Sequence, residues 1–205
     1  MAPLLLPFTD VRETRKRLRA RRRDIPDAAR LAADQVIRRE LARLRIWRRG
    51  QRVAAFIGMP DEVDLRPSFP VAWNRGVRLF VPLILQLRSG AMTFVPFEQD
   101  VPLHRNRFGI DEPVTDLAGR VNALQLDTVL VPLVGFDAEG HRLGMGAGFY
   151  DRALARRRDR TQPFRRPRLV GVAYSVQQVE RIPAAPWDVA LDAVVTERGI
   201  LNFAS

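Results

Sequence analysis

The chain has 205 residues, 46% of them hydrophobic, enough for one core of ordinary size, so a single domain over residues 1–205 is expected. There is no cysteine, which excludes disulfides, thiolate nucleophiles and cysteine zinc sites, and only two histidines, His104 and His141, which read as surface residues. The net charge is +11, and residues 1–50 hold 15 of the 34 basic residues but only 6 of the 23 acidic ones, so the basicity belongs to the front of the chain.

Residues 1–10, MAPLLLPFTD, read as a flexible leader: the apolar run lacks a preceding basic segment and a cleavage pattern, and no stretch approaches the length of a membrane span. A soluble cytoplasmic protein is expected. From Asp10 to about Gly50 the pattern is helical, broken at Ile25-Pro26, with Asp27 set to cap a second helix. In that helix Ile37, Leu41, Leu44 and Trp47 recur at helical spacing and should face a core. All basic residues except Lys16 are arginine, whose planar fork suits phosphate and carboxylate. The run RETRKRLRARRR could bind a nucleic acid by counterion release, but few aromatics interleave it. A solvated amphipathic helix, with Arg22 among its wet residues, is the favoured reading.

Short apolar runs follow: RVAAFIG, VRLFVPLI, MTFVPF, DTVLVPLVGF, RLVGVAYS and DAVVTE. Several are almost continuously apolar, as strands buried on both faces would be. They alternate with helical stretches around 65–75, 113–124 and 150–160, which predicts a three-layer α/β/α sandwich with a largely parallel, Rossmann-like central sheet. In such sheets ligands gather beyond the carboxyl ends of the strands. Three loops then matter: GMPDEVD, the glycine-rich stretch after DTVLVPLVGF, and SVQQVERIPAAPWDVALD.

The glycine-rich stretch is RLGMGAGFYDR, residues 142–152. Gly144, Gly146 and Gly148 can adopt positive φ and bring backbone amides to an anion, with Arg142 and Arg152 flanking. The spacing is neither the dinucleotide fingerprint nor the P-loop, so alone it says no more than a turn before a helix. Asp61, Glu62 and Asp64 read as turn and capping residues. Asp151 and Asp192 taken singly are caps; converging on a phosphate loop, they would bind Mg²⁺.

Together these pieces resemble the 5-formyltetrahydrofolate cyclo-ligases. VPLVGFDAEGHRLGMGAGFYDRAL is similar to that family's glycine-loop signature, and LRARRRDIP, FIGMPDEVD, MTF, FGIDEP and WDVALDAVVTERGI follow the family's order, covering roughly Arg12 to Phe203. The resemblance implies an enzyme that uses ATP and Mg²⁺ to convert 5-formyltetrahydrofolate to 5,10-methenyltetrahydrofolate, as a monomer without nucleic-acid or membrane partners. It implies that Arg12, Arg15, Arg142, Gly144, Met145, Gly146, Ala147, Gly148, Phe149 and Tyr150 contact ATP. It implies that Ile57, Glu62, Met145, Gly148, Phe149 and Tyr150 contact the folate, that Arg142 and Tyr150 are catalytic, and that Asp151 and Asp192 hold the metal. The sequence departs from the family pattern at Val11, where a basic residue is usual and Arg12 adjoins, and at Met145, Ala147 and Phe149. Two other readings remain: a nucleic-acid-binding protein using its basic front, and an inactive folate- or nucleotide-binding module.

Overall fold

In the computed structural model, which describes residues 7–8, 10–86, 88–106, 109–158 and 166–203, Asp10 starts the first helix. Its carboxylate accepts from the amides of Arg12 and Glu13 at 2.8 and 2.9 Å, and α1 runs Val11–Arg23. The leader expected over residues 1–10 lies mostly outside the described residues. After the break, α2 spans Asp27–Arg43. Asp27 does not cap it: Pro26 holds the cap position without a side-chain bond, and Asp27 is the acidic residue of the first turn, where it complements the helix dipole. The helix also ends before Gly50. Arg45 takes φ 57, the left-handed conformation that terminates helices, so Ile46 and Trp47 enter the core from the segment beyond it.

The strands arise where the apolar runs stand. They are β1 Arg52–Ala54, then, after α3 Phe69–Asn74, β2 Arg78–Gln86 and β3 Ala91–Pro96. The hairpin β4 Leu103–Arg105 and β5 Asp111–Pro113 follows. Next come β6 Thr128–Pro132, β7 Gly135–Phe136, β8 Arg142–Leu143, the short α4 Phe149–Ala153, β9 Arg168–Val172, β10 Ala193–Thr196 and β11 Gly199–Asn202. The stretch 113–124 is not helical beyond a single 3-10 turn at Ala123–Gln125. Pro113, Gly119 and the left-handed Leu117 break it, and Val121 bridges to Phe94 instead. The run DTVLVPLVGF divides at Pro132, which has no amide to continue the ladder.

The main sheet has the order β11-β10-β9-β6-β1-β2-β3. The five inner strands are parallel, and β3 and β11 add antiparallel edges. Counting the parallel strands alone, the order is 2-1-3-4-5, which puts the topological switch point between β1 and β6. Successive residues supply opposite faces. Val53, Leu79, Leu130, Val170 and Val195 join Ile37, Leu41, Phe69 and Ala72 on the face covered by α2 and α3. Ala54, Phe80, Val129, Leu169 and Val194 pack with Leu154 at the end of α4 on the other face. This two-sided burial explains why the strand sequences are largely apolar between their ends and do not alternate. Among the described residues no helix is long and apolar enough to cross a membrane.

One polar group is sealed between α2 and the carboxyl end of β9. The Tyr174 hydroxyl donates to Asp34 Oδ1 at 2.7 Å, and Asp34 is 5% exposed. Burial pushes the Asp34 carboxyl above its ordinary value, the tyrosine bond opposes that, and burial likewise pushes the Tyr174 hydroxyl up. A carboxylate whose pKa is raised on folding favours the folded state at low pH and loses that contribution as pH rises through its folded value. Replacing Tyr174 by Phe should raise the Asp34 pKa further. The expected loss is about 1–3 kcal/mol near neutral pH and less in acid. Thermal melts of wild type and Tyr174→Phe from pH 5 to 8 check this: the gap must widen as pH increases.

Candidate active site

The first helix lies across the carboxyl edge of the sheet. Its buried residues are Thr14, Leu18 and Arg22, one stripe at i, i+4 and i+8. Leu18 packs with Val134, Leu143, Val179 and Ile182, so the β7–β8 hairpin and the segment after β9 hold the middle of the helix. Beneath it the buried Gln177 amide donates to the carbonyls of Leu133 and Val134 at 2.8 and 3.1 Å, closing the exits of β6 and β9 onto one another. A shallow recess at these strand ends is lined by Phe56, Val63, Pro132, Leu133, Val172 and Gln177, with Arg22 and Glu62 at its polar side.

Arg22 is not solvated. It is 2% exposed and leads the fully buried side chains in size. Its Nε donates to Asp61 Oδ2 at 3.0 Å and its Nη1 to Glu62 Oε1 at 3.1 Å. Asp61 and Glu62 therefore do more than shape a turn: both carboxylates reach back to α1. Glu62 Oε2 also accepts the Met59 amide at 3.1 Å, and the Glu62 amide donates to the Met59 carbonyl at 2.9 Å. Arg30 reinforces the joint from α2, donating to the Asp61 carbonyl at 2.8 Å and the Arg22 carbonyl at 2.9 Å. Asp64 departs from this group. Burial would raise its carboxyl, but the Arg66 guanidinium beside it wins and holds it below the usual range. Ile57, half-buried, packs against the core at the start of the same loop.

Two turns earlier on α1, Arg15 Nε donates to the Gly144 carbonyl at 2.7 Å. The glycine stretch is thus tied to the same helix as the acidic loop. Gly146 and Gly148 have φ of 103° and 66°, conformations that L side chains rarely adopt; Gly144 takes an ordinary one. The helix the stretch opens has only five residues, so positive charge here comes from guanidinium groups rather than a helix dipole. Arg152 braces the loop from below, donating to the Ala147 carbonyl with its guanidinium 5.7 Å from the Phe149 ring centre. Arg142 is largely buried, donating to the Val189 carbonyl and pairing with Asp151. Burial lowers its pKa, against the pull of Asp151, Asp188 and Tyr150. Burial raises the Tyr150 hydroxyl, which feels Glu62 on one side and Arg142 on the other. Tyr150 therefore stands between the acidic loop and the glycine loop. Met145, Gly146 and Ala147 are exposed at the loop's tip, and Arg12 is exposed at the start of α1.

Asp151 and Asp192 are engaged separately. Asp192 stands at the amino end of β10, its oxygens accepting from Arg157 Nη2 and, at 2.6 Å, from the Leu169 amide. Asp151 has one oxygen on Arg142. Among the described contacts the two aspartates share no residue, so the expectation that they converge finds no common anchor here. The three donor atoms that do lie within 4.8 Å of one another belong to Asp137, Glu139 and His141. There the buried Asp137 already accepts from the amides of Glu139, His141 and Ile182 at 3.0, 2.9 and 2.9 Å. His141, expected at the surface, is 25% exposed and its Nδ1 is 3.0 Å from Asp137. His104 is an open surface residue at 53%.

Arg22, Arg30, Arg157 and Gln177 escaped the sequence reading as site residues, whereas Arg152 was read there as flanking the glycine stretch. Only Arg22 carried a signal, its helical register with Thr14 and Leu18.

The model of the 5-formyltetrahydrofolate cyclo-ligase family matches residues 9–197. The chain is 38% identical over 145 residues to a 5-formyltetrahydrofolate cyclo-ligase of Escherichia coli, covering 70% of this chain and 76% of that one. It is 29% identical over 192 residues to one from Mycolicibacterium smegmatis, covering 92% and 95%. Its fold is similar to the solved structure of Aquifex aeolicus 5,10-methenyltetrahydrofolate synthetase, with a TM-score of 0.79 and 32% identity over 95% of this chain and 93% of that one. The Mycoplasma pneumoniae 5,10-methenyltetrahydrofolate synthetase structure matches with a TM-score of 0.70 and 25% identity over 92% and 99%. The chain belongs to the 5-formyltetrahydrofolate cyclo-ligase family.

Proposed function

We propose that this protein is a cytoplasmic enzyme that closes 5-formyltetrahydrofolate to 5,10-methenyltetrahydrofolate at the expense of ATP, releasing ADP and phosphate. One observation carries the reading: a single face of α1 holds Arg15 on the glycine loop and Arg22 on the acidic loop. Seven residues separate them, about 10 Å along a helix axis. That spacing suits two ligands meeting end to end, a nucleotide at one loop and a folate at the other, with Tyr150 at the junction.

The formyl oxygen is a poor leaving group. In the proposed reaction it attacks the γ-phosphorus of ATP and ADP departs. The neighbouring folate nitrogen then attacks the activated formyl carbon, loses its proton, and phosphate leaves. Both nucleophile and electrophile belong to one bound molecule, so proximity supplies much of the acceleration. The protein's work is positioning and neutralisation. Arg15 and Arg142, with the amides of Gly144, Met145, Gly146, Ala147, Gly148 and Phe149, face the phosphates, and Arg12 is near enough along α1 to add charge. Glu62 anchors the folate with Ile57, Met145, Gly148, Phe149 and Tyr150 around it. Arg142 and Tyr150 stand where charge develops.

A Mg²⁺ ion bound with ATP would neutralise charge on the transferring phosphoryl group. Asp151 fits such an ion, since it is partly exposed and Arg142 engages one of its oxygens. Asp192 as held fits poorly, because the Arg157 pair and the Leu169 amide occupy its oxygens. The basic front is not wholly solvated, which weakens the nucleic-acid reading.

Purified protein with 5-formyltetrahydrofolate, ATP and Mg²⁺ should develop the methenyl absorbance, and no absorbance change would reject the reaction. In that assay Arg15→Ala and Gly146→Val should each weaken ATP use roughly a hundredfold while leaving folate affinity near wild type, since a preorganised charge donor or its loop is lost. A folded Gly146→Val with unchanged ATP affinity would show that the loop is no phosphate cradle. Asp151→Asn should cut turnover by orders of magnitude, with partial recovery at high Mg²⁺. Asp192→Asn should behave differently, losing about 3–5 kcal/mol of stability from the orphaned Arg157 with an unchanged Mg²⁺ requirement. Melting curves and Mg²⁺ titrations of both variants separate these outcomes.

A further inference from the structure

Arg22 is the buried charge that the proposed reaction leaves unused. Taking a guanidinium out of water is costly, and well-packed apolar residues often stabilise a joint at least as well as a buried ion pair. An arginine kept here needs a reason that packing does not supply. One guanidinium bonds two carboxylates here, while Arg30 bonds only the neighbouring carbonyls of Asp61 and Arg22. Arg22 Nη1 takes one acceptor position on Glu62 Oε1, and the Met59 amide takes one on Oε2. An ionised carboxylate offers about four such positions. Each oxygen of Glu62 therefore keeps one for a ligand, while its two bonds stop the carboxylate turning. Asp61 holds the other side of the fork: Nε bonds its Oδ2 at 3.0 Å, and Nη2 lies 2.9 Å from the same oxygen. That Nη2 makes no well-formed hydrogen bond although it is fully buried. The fork is thus set by the two carboxylates together, at some expense to its own satisfaction.

We infer that Arg22 is a positioning residue for the folate site: it locks the Glu62 carboxylate in the one orientation that accepts two neighbouring N–H donors, the pattern an aminopyrimidinone edge presents. The inference rests on the proposed role of Glu62 as folate anchor. It gives a member of the basic run a role in folate recognition, separate from the ATP role of Arg15. Lysine cannot replace it fully, because an ammonium is a point charge and cannot fork across two carboxylates.

The test uses the full chain and 5-formyltetrahydrofolate itself, with affinity measured without ATP and KM measured for both substrates. Variants are Arg22→Met, Arg22→Lys, Glu62→Gln and the Arg22→Met/Glu62→Gln double, with folding checked by circular dichroism. Arg22→Met should weaken folate binding about ten- to a hundredfold, as loss of a charge-assisted hydrogen bond would, and leave the KM for ATP near wild type. Arg22→Lys should recover part of the loss. The double variant should bind no worse than Glu62→Gln alone, because Arg22 acts through Glu62. If Arg22→Met does not fold, Arg22→Lys, which keeps the buried charge, carries the same comparison. Wild-type folate affinity in a folded Arg22 variant, or equal rises in both KM values, overturns the inference while the anchor stands if Glu62→Gln still loses folate. Wild-type affinity in Glu62→Gln overturns the anchor and the Arg22 role together.

Discussion

The approach of Leu18 to Gly135 is the contact on which the site depends. A Cβ built on Gly135 would lie 2.5 Å from Leu18 Cδ1 and 3.3 Å from the Gln177 carbonyl. A side chain at 135 would force Leu18 to shift and press on the Gln177 carbonyl, so glycine lets α1 settle closely against the β7–β8 hairpin. Everything polar follows from that seat. With Leu18 fixed, the residues one turn away on the same stripe have nowhere to go but the loops: Arg15 meets Gly144, and Arg22 meets Asp61 and Glu62. A helix resting a few ångströms higher would leave both loops without their tether, since hydrogen bonds of this kind fail beyond about 3.5 Å.

The sheet supplies the other half of the constraint. Its order puts the exits of β1 and β6 side by side at the switch point, so the loop after β1 and the hairpin after β6 must share the space above it. Gln177 from the β9 exit fills the carbonyls of Leu133 and Val134, which would otherwise be buried without donors. The α1 helix then covers this junction from the amino-terminal side of the chain. Three loops distant in sequence thereby become one surface.

Much of this was legible in the sequence, for a physical reason that also explains the failures. Inner strands buried on both faces are apolar over most of their length, so the runs around Val53, Leu79, Leu130, Val170 and Val195 stood out. The edges did not: β4, β5 and β11 are partly exposed and mixed in composition, and the stretch 113–124 imitated a helix until Pro113, Gly119 and Leu117 were seen to turn the chain. The helix end near Arg45 was missed because a left-handed arginine leaves no compositional mark. In the site, the glycine loop was legible because its residue types are scarce and its motif is long. Arg22 was not, because a buried arginine and a solvated one are the same letter in a run of arginines. Its register with Thr14 and Leu18, set against the adjacent acids Asp61 and Glu62, was the available clue. Asp192 was ambiguous for the converse reason: an aspartate at a strand entry can meet a metal or an arginine, and its arginine partner here, Arg157, lies in another arginine-rich stretch.

The arginines of the site fall into two groups by what they bond, and the division bears on what each can do. Arg22 and Arg157 pair with carboxylates, so their charge is largely matched and their contribution is geometric: they hold Glu62 and Asp192 in place. Arg142 also pairs with a carboxylate, that of Asp151, but at the glycine loop itself. Arg15 and Arg152 bond neutral carbonyls, of Gly144 and Ala147, and among the described residues no carboxylate ion pair matches their charge. A carbonyl fixes a guanidinium in space without cancelling it. Two oriented, uncancelled cations on either side of an exposed glycine loop make a region of positive potential, and a polyphosphate is the kind of ligand that gains most from it. The acidic loop presents carboxylate acceptors instead, those of Asp61 and Glu62 on Arg22, and favours a ligand rich in N–H donors. On the proposed reading, this charge pattern assigns nucleotide and folate to different loops along α1, with Tyr150 and its neutral hydroxyl between those loops.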